Sequence, residues 1–230
     1  NDTIDGRQGS DTAVYSGIAA DYSLGWADGH LTITDVNTVD GDDGSDILGG
    51  IEILKFADRN FAVRPGGEFQ VNATSTGAQT NPAIAALDGG GYVVCWESAG
   101  QDGSGAGVYA QRYTANGVAI GAEFRVNGTT AGNQDSVSVT GLSGGGFVVS
   151  WESSGQDGDG DGVYARLYDA NGVAQGAEFG VNTTTTGDQL DATVQALSSG
   201  GFVVSWSSSL QDGSGDGIYA QRYDAAGVAQ

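Results

Sequence analysis

Gln101–Tyr109 reads QDGSGAGVY, and it returns as QDGDGDGVY at Gln156–Tyr164 and as QDGSGDGIY at Gln211–Tyr219, each time 55 residues further on without insertion or deletion. Each copy follows a run that carries a Trp: Trp96, Trp151 and Trp206. A fixed period of this length marks a supersecondary unit that buries its apolar face against the next copy of itself. Four strand-like runs fill each period. One is Glu-Phe-x-Val-Asn (Glu68–Asn72, Glu123–Asn127, Glu178–Asn182), and a second is short and small-residued (Ile84–Leu87, Val139–Leu142, Val194–Leu197). The third runs Tyr92–Glu97, Phe147–Glu152 and Phe202–Ser207; the fourth runs Val108–Tyr113, Val163–Tyr168 and Ile218–Tyr223. Four strands per repeat joined by Gly-rich hairpin turns predict a β-propeller blade, with a β-trefoil or a β-solenoid as alternatives.

The faces of these strands agree. Phe147, Val149 and Trp151 alternate with Val148, Ser150 and Glu152, which puts bulk on one face and small or polar groups on the other. Ala86, Gly141 and Ala196 keep one position tiny, as suits an innermost strand where blades crowd an axis. Cys95 stands where the other copies have Ser150 and Ser205, and reads as a small packing residue. Asn72-Ala-Thr74, Asn127-Gly-Thr129 and Asn182-Thr-Thr184 read as turn chemistry between blades. The copies of the four strands are permuted by one. Residues 66–72 precede the first blade, so this early strand is expected to complete the last blade or to serve a larger array.

Composition narrows the class. Gly makes up 41 of 230 residues against 2 Pro, and the apolar runs between the glycines give the chain something to bury, so regular turns rather than disorder explain the glycine. The net charge is −21, with Lys55 as the only Lys. That field repels nucleic acid and anionic membranes and attracts divalent cations, and bound calcium would offset the self-repulsion. No run is long and apolar enough to insert in a membrane. The missing Met and the start in mid-motif lead us to expect a fragment of a longer chain.

Residues 1–65 read as a separate domain, and residues 66–230 as three repeats (about 66–121, 122–176 and 177–230). Gly6-Arg7-Gln8-Gly9-Ser10-Asp11-Thr12-Ala13-Val14 fits the nonapeptide G-G-x-G-x-D-x-U-x with Arg7 in a Gly position, and Asp2-Thr3-Ile4 forms a half-repeat nine residues upstream. Residues nine apart are expected to stack, with Asp2 and Asp11 lining one edge. A looser match spans Gly41–Gly49 and offers Asp42 and Asp46. A hairpin is expected around Asp28-Gly29, with His30 as an exposed turn residue, and Ile51–Phe56 as a final strand. This region resembles the terminal cap of an RTX (repeats-in-toxin, hemolysin-type) calcium-binding β-roll. The 55-residue units look like repeats of large secreted bacterial surface proteins. The resemblance implies calcium, an extracellular or cell-surface setting and type I secretion.

Asp157, Asp159 and Asp161 have the one-three-five spacing by which a tight loop aims carboxylates at a hard cation; Asp212 and Asp216 rank second, and the loop 102–106 last. The metal ligands expected are therefore Asp2, Gly6, Gly9, Asp11, Asp42, Asp46, Asp157, Asp159, Asp161, Asp212 and Asp216, with Ca2+ as cofactor. No nucleophile–base set, HExxH helix or phosphate loop is visible, so no catalytic residue and no enzymatic activity are expected. The expected function is a non-catalytic, calcium-binding structural or adhesion module, with calcium, glycans or further copies of itself as partners. The alternatives are a calcium-dependent lectin and an accessory region of an extracellular hydrolase or toxin.

Overall fold

The computed structural model describes residues 2–5, 11–27, 30–37, 44–49, 51, 53–58, 60–62, 68–115 and 117–230. Two compact units result, Asn1–Phe69 and Gln70–Gln230.

In the first unit, β1 (Thr3–Asp5), β2 (Thr12–Val14), β3 (Tyr22–Ala27), β4 (His30–Asp35), β5 (Ser45–Gly49), β6 (Ile53–Lys55) and β7 (Asn60–Ala62) form two sheets, ordered β1-β5-β4-β3 and β2-β6-β7. The expected hairpin is β3–β4, paired from Tyr22↔Asp35 to Ala27↔His30, and the expected final strand shortens to β6. β1 and β5 run parallel, as do β2 and β6, so consecutive short strands alternate between sheets. Ala13, Leu31, Ile33, Leu48, Leu54 and Phe56 are buried together between them.

The second unit is all β and propeller-like. β8 (Gln79–Ala86), β9 (Gly91–Ala99), β10 (Ala106–Thr114) and β11 (Ala119–Arg125) form an antiparallel meander ordered β11-β10-β9-β8. β12 (Gln134–Gly141), β13 (Phe147–Ser154), β14 (Asp161–Tyr168) and the short β15 (Phe179–Gly180) form the second blade. β16 (Gln189–Ala196), β17 (Phe202–Ser209) and β18 (Asp216–Tyr223) form a three-stranded third. The four-stranded meander is the predicted blade, and separate sheets replace the closed barrel a trefoil would need.

The innermost strand begins about five residues before the apolar run that announced it. Each copy carries a bulge there, with register shifts between Thr80 and Ala83, Asp135 and Ser138, and Leu190 and Thr193. Asn81, Ser136 and Asp191 take left-handed φ values of 51°, 52° and 57° at those bulges. Short polar side chains tolerate that region better than most, and the bulge breaks the period-two alternation by which strands are read from sequence. β12 lies beside both β8 and β16, so these are the inner strands of adjacent blades. Gly141 meets the Ala86 carbonyl so closely that a Cβ would collide with it, which is the physical content of the tiny position.

Blades stack bulky face on small face. Phe147, Val149, Trp151, Tyr164 and Tyr168 of the second blade share one buried cluster with Val93, Cys95, Val108 and Ala110 of the first. Phe202, Val204, Trp206 and Tyr223 of the third blade pack in the same way on Val148, Val163, Ala165 and Leu167 of the second. Cys95 is fully buried in the first of these seams, and burial pushes its thiol up so that it stays protonated. Full burial of Trp151 and Phe147 also removes them as a glycan platform.

Candidate functional site

The Gln-Asp-Gly loops are hairpins between the third and fourth predicted strands, and the structure spreads their carboxylates apart. Asp157 turns inward: one oxygen accepts from Asn182 Nδ2 at 3.2 Å and the other from the Asp159 amide at 3.4 Å. Asp159 points instead to the next repeat, accepting from the Gly187 amide at 3.1 Å. Asp161 opens β14, and its amide donates to Asp188 Oδ1 at 3.1 Å. Asp212 accepts from the Ser214 amide at 3.1 Å within its own loop, and Asp216 is exposed at the head of β18.

The inward Asp serves a polar knot. Asn127 Nδ2 donates to Thr129 O, Gln134 Oε1 and Asp102 Oδ2 at 2.7, 2.9 and 3.3 Å, and its Oδ1 accepts from the Val108 amide at 2.9 Å. Asn182 repeats the pattern with Thr184, Gln189, Asp157 and Val163. The Asn-x-Thr triplets are turn chemistry, as their sequence indicates. Alternate residues of this twisted hairpin face different neighbours: Asp157 faces Asn182 and Asp159 faces Gly187.

In the first unit Asp2 does not stack on Asp11, because β1 and β2 lie in different sheets. Asp2 sits instead beside Asp46, whose carboxylate accepts from the Asp2 amide at 2.8 Å and from Tyr15 Oη at 3.2 Å. Asp11 precedes β2 and its carbonyl accepts from the Ile53 amide at 3.1 Å. Gly6, Gly9 and Asp42 lie outside the described residues. Among the described residues no three His, Cys, Asp or Glu side chains come together as a metal-holding group.

Sequence reasoning passed over the glutamates that matter most. Glu178 accepts from the amides of Gly128 and Thr129 at 2.5 and 2.9 Å, from Thr129 Oγ1 at 2.7 Å and from Gln156 Nε2 at 2.9 Å. Glu123 does the same one repeat earlier with Ala73, Thr74 and Gln101. Burial alone would raise both carboxyls, but these hydrogen bonds outweigh it and hold them below the ordinary value. The signal was present: the same Glu opens Glu-Phe-x-Val-Asn in all three copies.

A second acidic group lies where the third predicted strand ends. Glu97, on β9, is 6% exposed; it accepts from the Ser136 amide at 2.7 Å and from Asn81 Nδ2 at 2.9 Å. Glu152, the equivalent residue on β13, is 4% exposed and accepts from the Ala192 amide at 3.4 Å. Both thus reach the left-handed bulge of the following blade. Burial pushes Glu152 up to about 7 against its amide bonds, and Asp135 adds to the rise. Asp135, half-buried at the start of β12, is itself raised by burial and by Glu97 and Asp161. The third repeat has Ser207 in place of this glutamate. A cleft of about 420 Å³ between the second and third blades opens at the opposite end of the strands, lined by Leu142, Gly144, Leu167, Tyr168 and Ala226.

No protein-family model matches the chain, and no curated protein matches it. Among solved structures, an endo-arabinase from Bacteroides thetaiotaomicron is similar at 12% identity over 86% of this chain and 72% of that one, with a TM-score of 0.44. An endo-1,4-beta-xylanase from the same organism covers 91% and 73% at 10% identity with a TM-score of 0.45, and a thermostable family-43 glycoside hydrolase covers 91% and 73% at 10% and 0.44. These matching structures are glycoside hydrolases, contrary to the expectation of a non-catalytic calcium-binding adhesion module without enzymatic activity, and that expectation is not carried forward. At such identities the likeness concerns the arrangement of strands and assigns no activity to this chain.

Proposed function

We propose that the repeat unit is the propeller of an extracellular hydrolase acting on glycans, with Asp135 and Glu152 as its acid pair. The observation that carries this reading is the setting of Glu152. A carboxyl pushed up to about 7 by burial holds a proton near neutral pH, beside a second carboxyl group, Asp135, that reaches solvent. Glycosidic cleavage needs that division: one group protonates the departing oxygen while a carboxylate attacks the sugar or activates water. Glu152 would give up its proton and Asp135 would act as the carboxylate, with the bulge amides of the third blade fixing Glu152 in place. Incubation with arabinan or xylan, followed by reducing-end assay, tests the proposal. Release is expected, falling about a hundredfold or more in Glu152→Gln and Asp135→Asn with the fold intact. No release from any glycan tried, or full activity in both variants, would overturn it.

Calcium enters as a second proposal, held by the acidic surface as a whole rather than by one loop. Its support is the net charge of −21 and the exposure of Asp159, Asp212 and Asp216. A higher melting midpoint in calcium than in sodium chloride of equal ionic strength is expected; equal midpoints would sink the idea. The nonapeptide at Gly6–Val14 supports an RTX-type, type I-secreted source, which detection in cell-free culture medium checks.

A further inference from the structure

The two seams between blades are built from equivalent residues, but they differ at the end of the strands away from the acid pair. In the first seam Arg112 lies across the gap. Its Nη2 donates to the Ala170 carbonyl at 2.5 Å, and its stem runs so close to Gly172 that a Cβ there would fall 2.8 Å from Arg112 Cδ. In the second seam Leu167 stands at the repeat position of Arg112 and packs on Gly227 in the same way, a Cβ there falling 3.1 Å from Leu167 Cδ1. Leu167 stops at its Cδ carbons and has no donor to offer the carbonyl of Ala225, the counterpart of Ala170. The wall changes with it. Asp169 replaces Thr114, and the shorter Ser143 replaces Asp88, whose carboxylate accepts from the Gly144 amide at 3.1 Å in the first seam. These exchanges coincide with the cleft of about 420 Å³, whose lining includes Leu142, Ser143, Leu167, Tyr168, Asp169 and Ala225.

We propose that this cleft binds a guanidinium group carried on a short apolar stem. The stem lies against Leu142 and Leu167, and the guanidinium takes the place that the head of Arg112 has in the first seam, donating to the Ala225 carbonyl beside Asp169. The first seam supplies the argument for fit, since an equivalent stretch of backbone already closes on a guanidinium there. Charge supplies the argument for sign: the exchange of Arg112 for Leu167 removes a cation from the wall, the exchange of Thr114 for Asp169 adds an anion, and the whole chain carries −21. A guanidinium suits the site better than an ammonium, because it is planar and more weakly hydrated and so loses less on leaving water for a partly apolar cleft. A small alkylguanidine and an arginine side chain of a peptide share this chemistry. Neither Glu152 nor Asp135 lines the cleft, so the inference stands apart from any glycan chemistry.

Titration of the 230-residue chain with n-butylguanidinium, and separately with a capped Gly-Arg-Gly peptide, tests it, in about 0.15 M salt to screen loose binding to the acidic surface. The leucine methyl NMR signals give a readout at the site itself. A saturable shift of the Leu142 and Leu167 methyls is expected, with a Kd of about a millimolar or tighter. n-Butylammonium should bind at least about fivefold more weakly. Tighter binding of the peptide makes an arginine side chain the occupant, and tighter binding of n-butylguanidinium makes it a free small molecule. Leu167→Arg rebuilds the first seam in the second, and should abolish the shift at Leu142 without lowering the melting midpoint. Ser143→Phe, at the exposed edge of the cleft, should weaken binding at least about tenfold and keeps the test available if the first variant fails to fold. The absence of a saturable shift would overturn the proposal, as would equal binding of the ammonium, or binding that the folded variants leave unchanged.

Discussion

The carboxylate of Glu178 closes on Thr129, accepting from its amide at 2.9 Å and from its hydroxyl at 2.7 Å across 49 residues of chain. The bond ties the outer strand of one blade to the turn that enters the same blade. Because Gln156 also donates to Glu178, the Gln-Asp-Gly loop is held in the same cradle.

Loss of that carboxylate leaves two amides, a hydroxyl and a glutamine without their acceptor. Glu178→Ala is expected to cost about 2–4 kcal/mol, and Glu178→Gln about half as much because one acceptor oxygen remains. Urea unfolding of the two variants checks the order, and equal loss in both would show that charge, not bond count, sets the value.

The pH dependence has two limbs of opposite sign. Glu123 and Glu178 are held below the ordinary carboxylate value, so their contribution is present above that value and lost as pH falls through their folded values. Glu152 is pushed up to about 7, so its contribution is full below the ordinary Glu value and lost as pH rises through about 7. Stability is therefore expected to peak in weak acid. Glu152→Gln should flatten the alkaline limb, gaining roughly 2–3 kcal/mol above neutral pH. Melting curves across pH would count against this if wild type and variant stay parallel.

Gly141 has no room for a Cβ against the Ala86 carbonyl. Gly141→Ala should force the inner strands of the first two blades apart at a cost of about 1–3 kcal/mol, read as a lower denaturation midpoint.

Leu210 occupies a turn position where the other copies have Gly100 and Gly155. Its φ is 59°, against 71° and 69° for the glycines. The side chain is 67% exposed, so little burial is lost with it. Leu210→Gly is expected to stabilise the third blade by about 1 kcal/mol through relief of the left-handed conformation. An unchanged or lower melting midpoint would contradict that account.

Much of the architecture was legible because it is local and repeated. The 55-residue period, the bulky and small faces of the third strand, the tiny inner position and the Asn-x-Thr turns all follow from residue type and spacing, and the structure places each as its chemistry requires. The bulges at Asn81, Ser136 and Asp191 hid the first half of every inner strand, since a left-handed residue breaks alternation without any residue that announces it. The orientation of the acidic loops was hidden for a related reason. Spacing sets which carboxylates are near in sequence, whereas hairpin twist sets which way each one points.

By itself the sequence determined that three equal β units stack through complementary faces, because that pairing is written in side-chain size and alternation. Only the tertiary structure decided where the carboxylates went. Asp157 turned to Asn182, Asp159 to the next repeat, Glu178 to the turn of its own blade and Glu152 into the seam beside Asp135. Burial and hydrogen bonding, not composition, then separated acids held ionised from those pushed toward the protonated form, and both depend on neighbours tens of residues away along the chain.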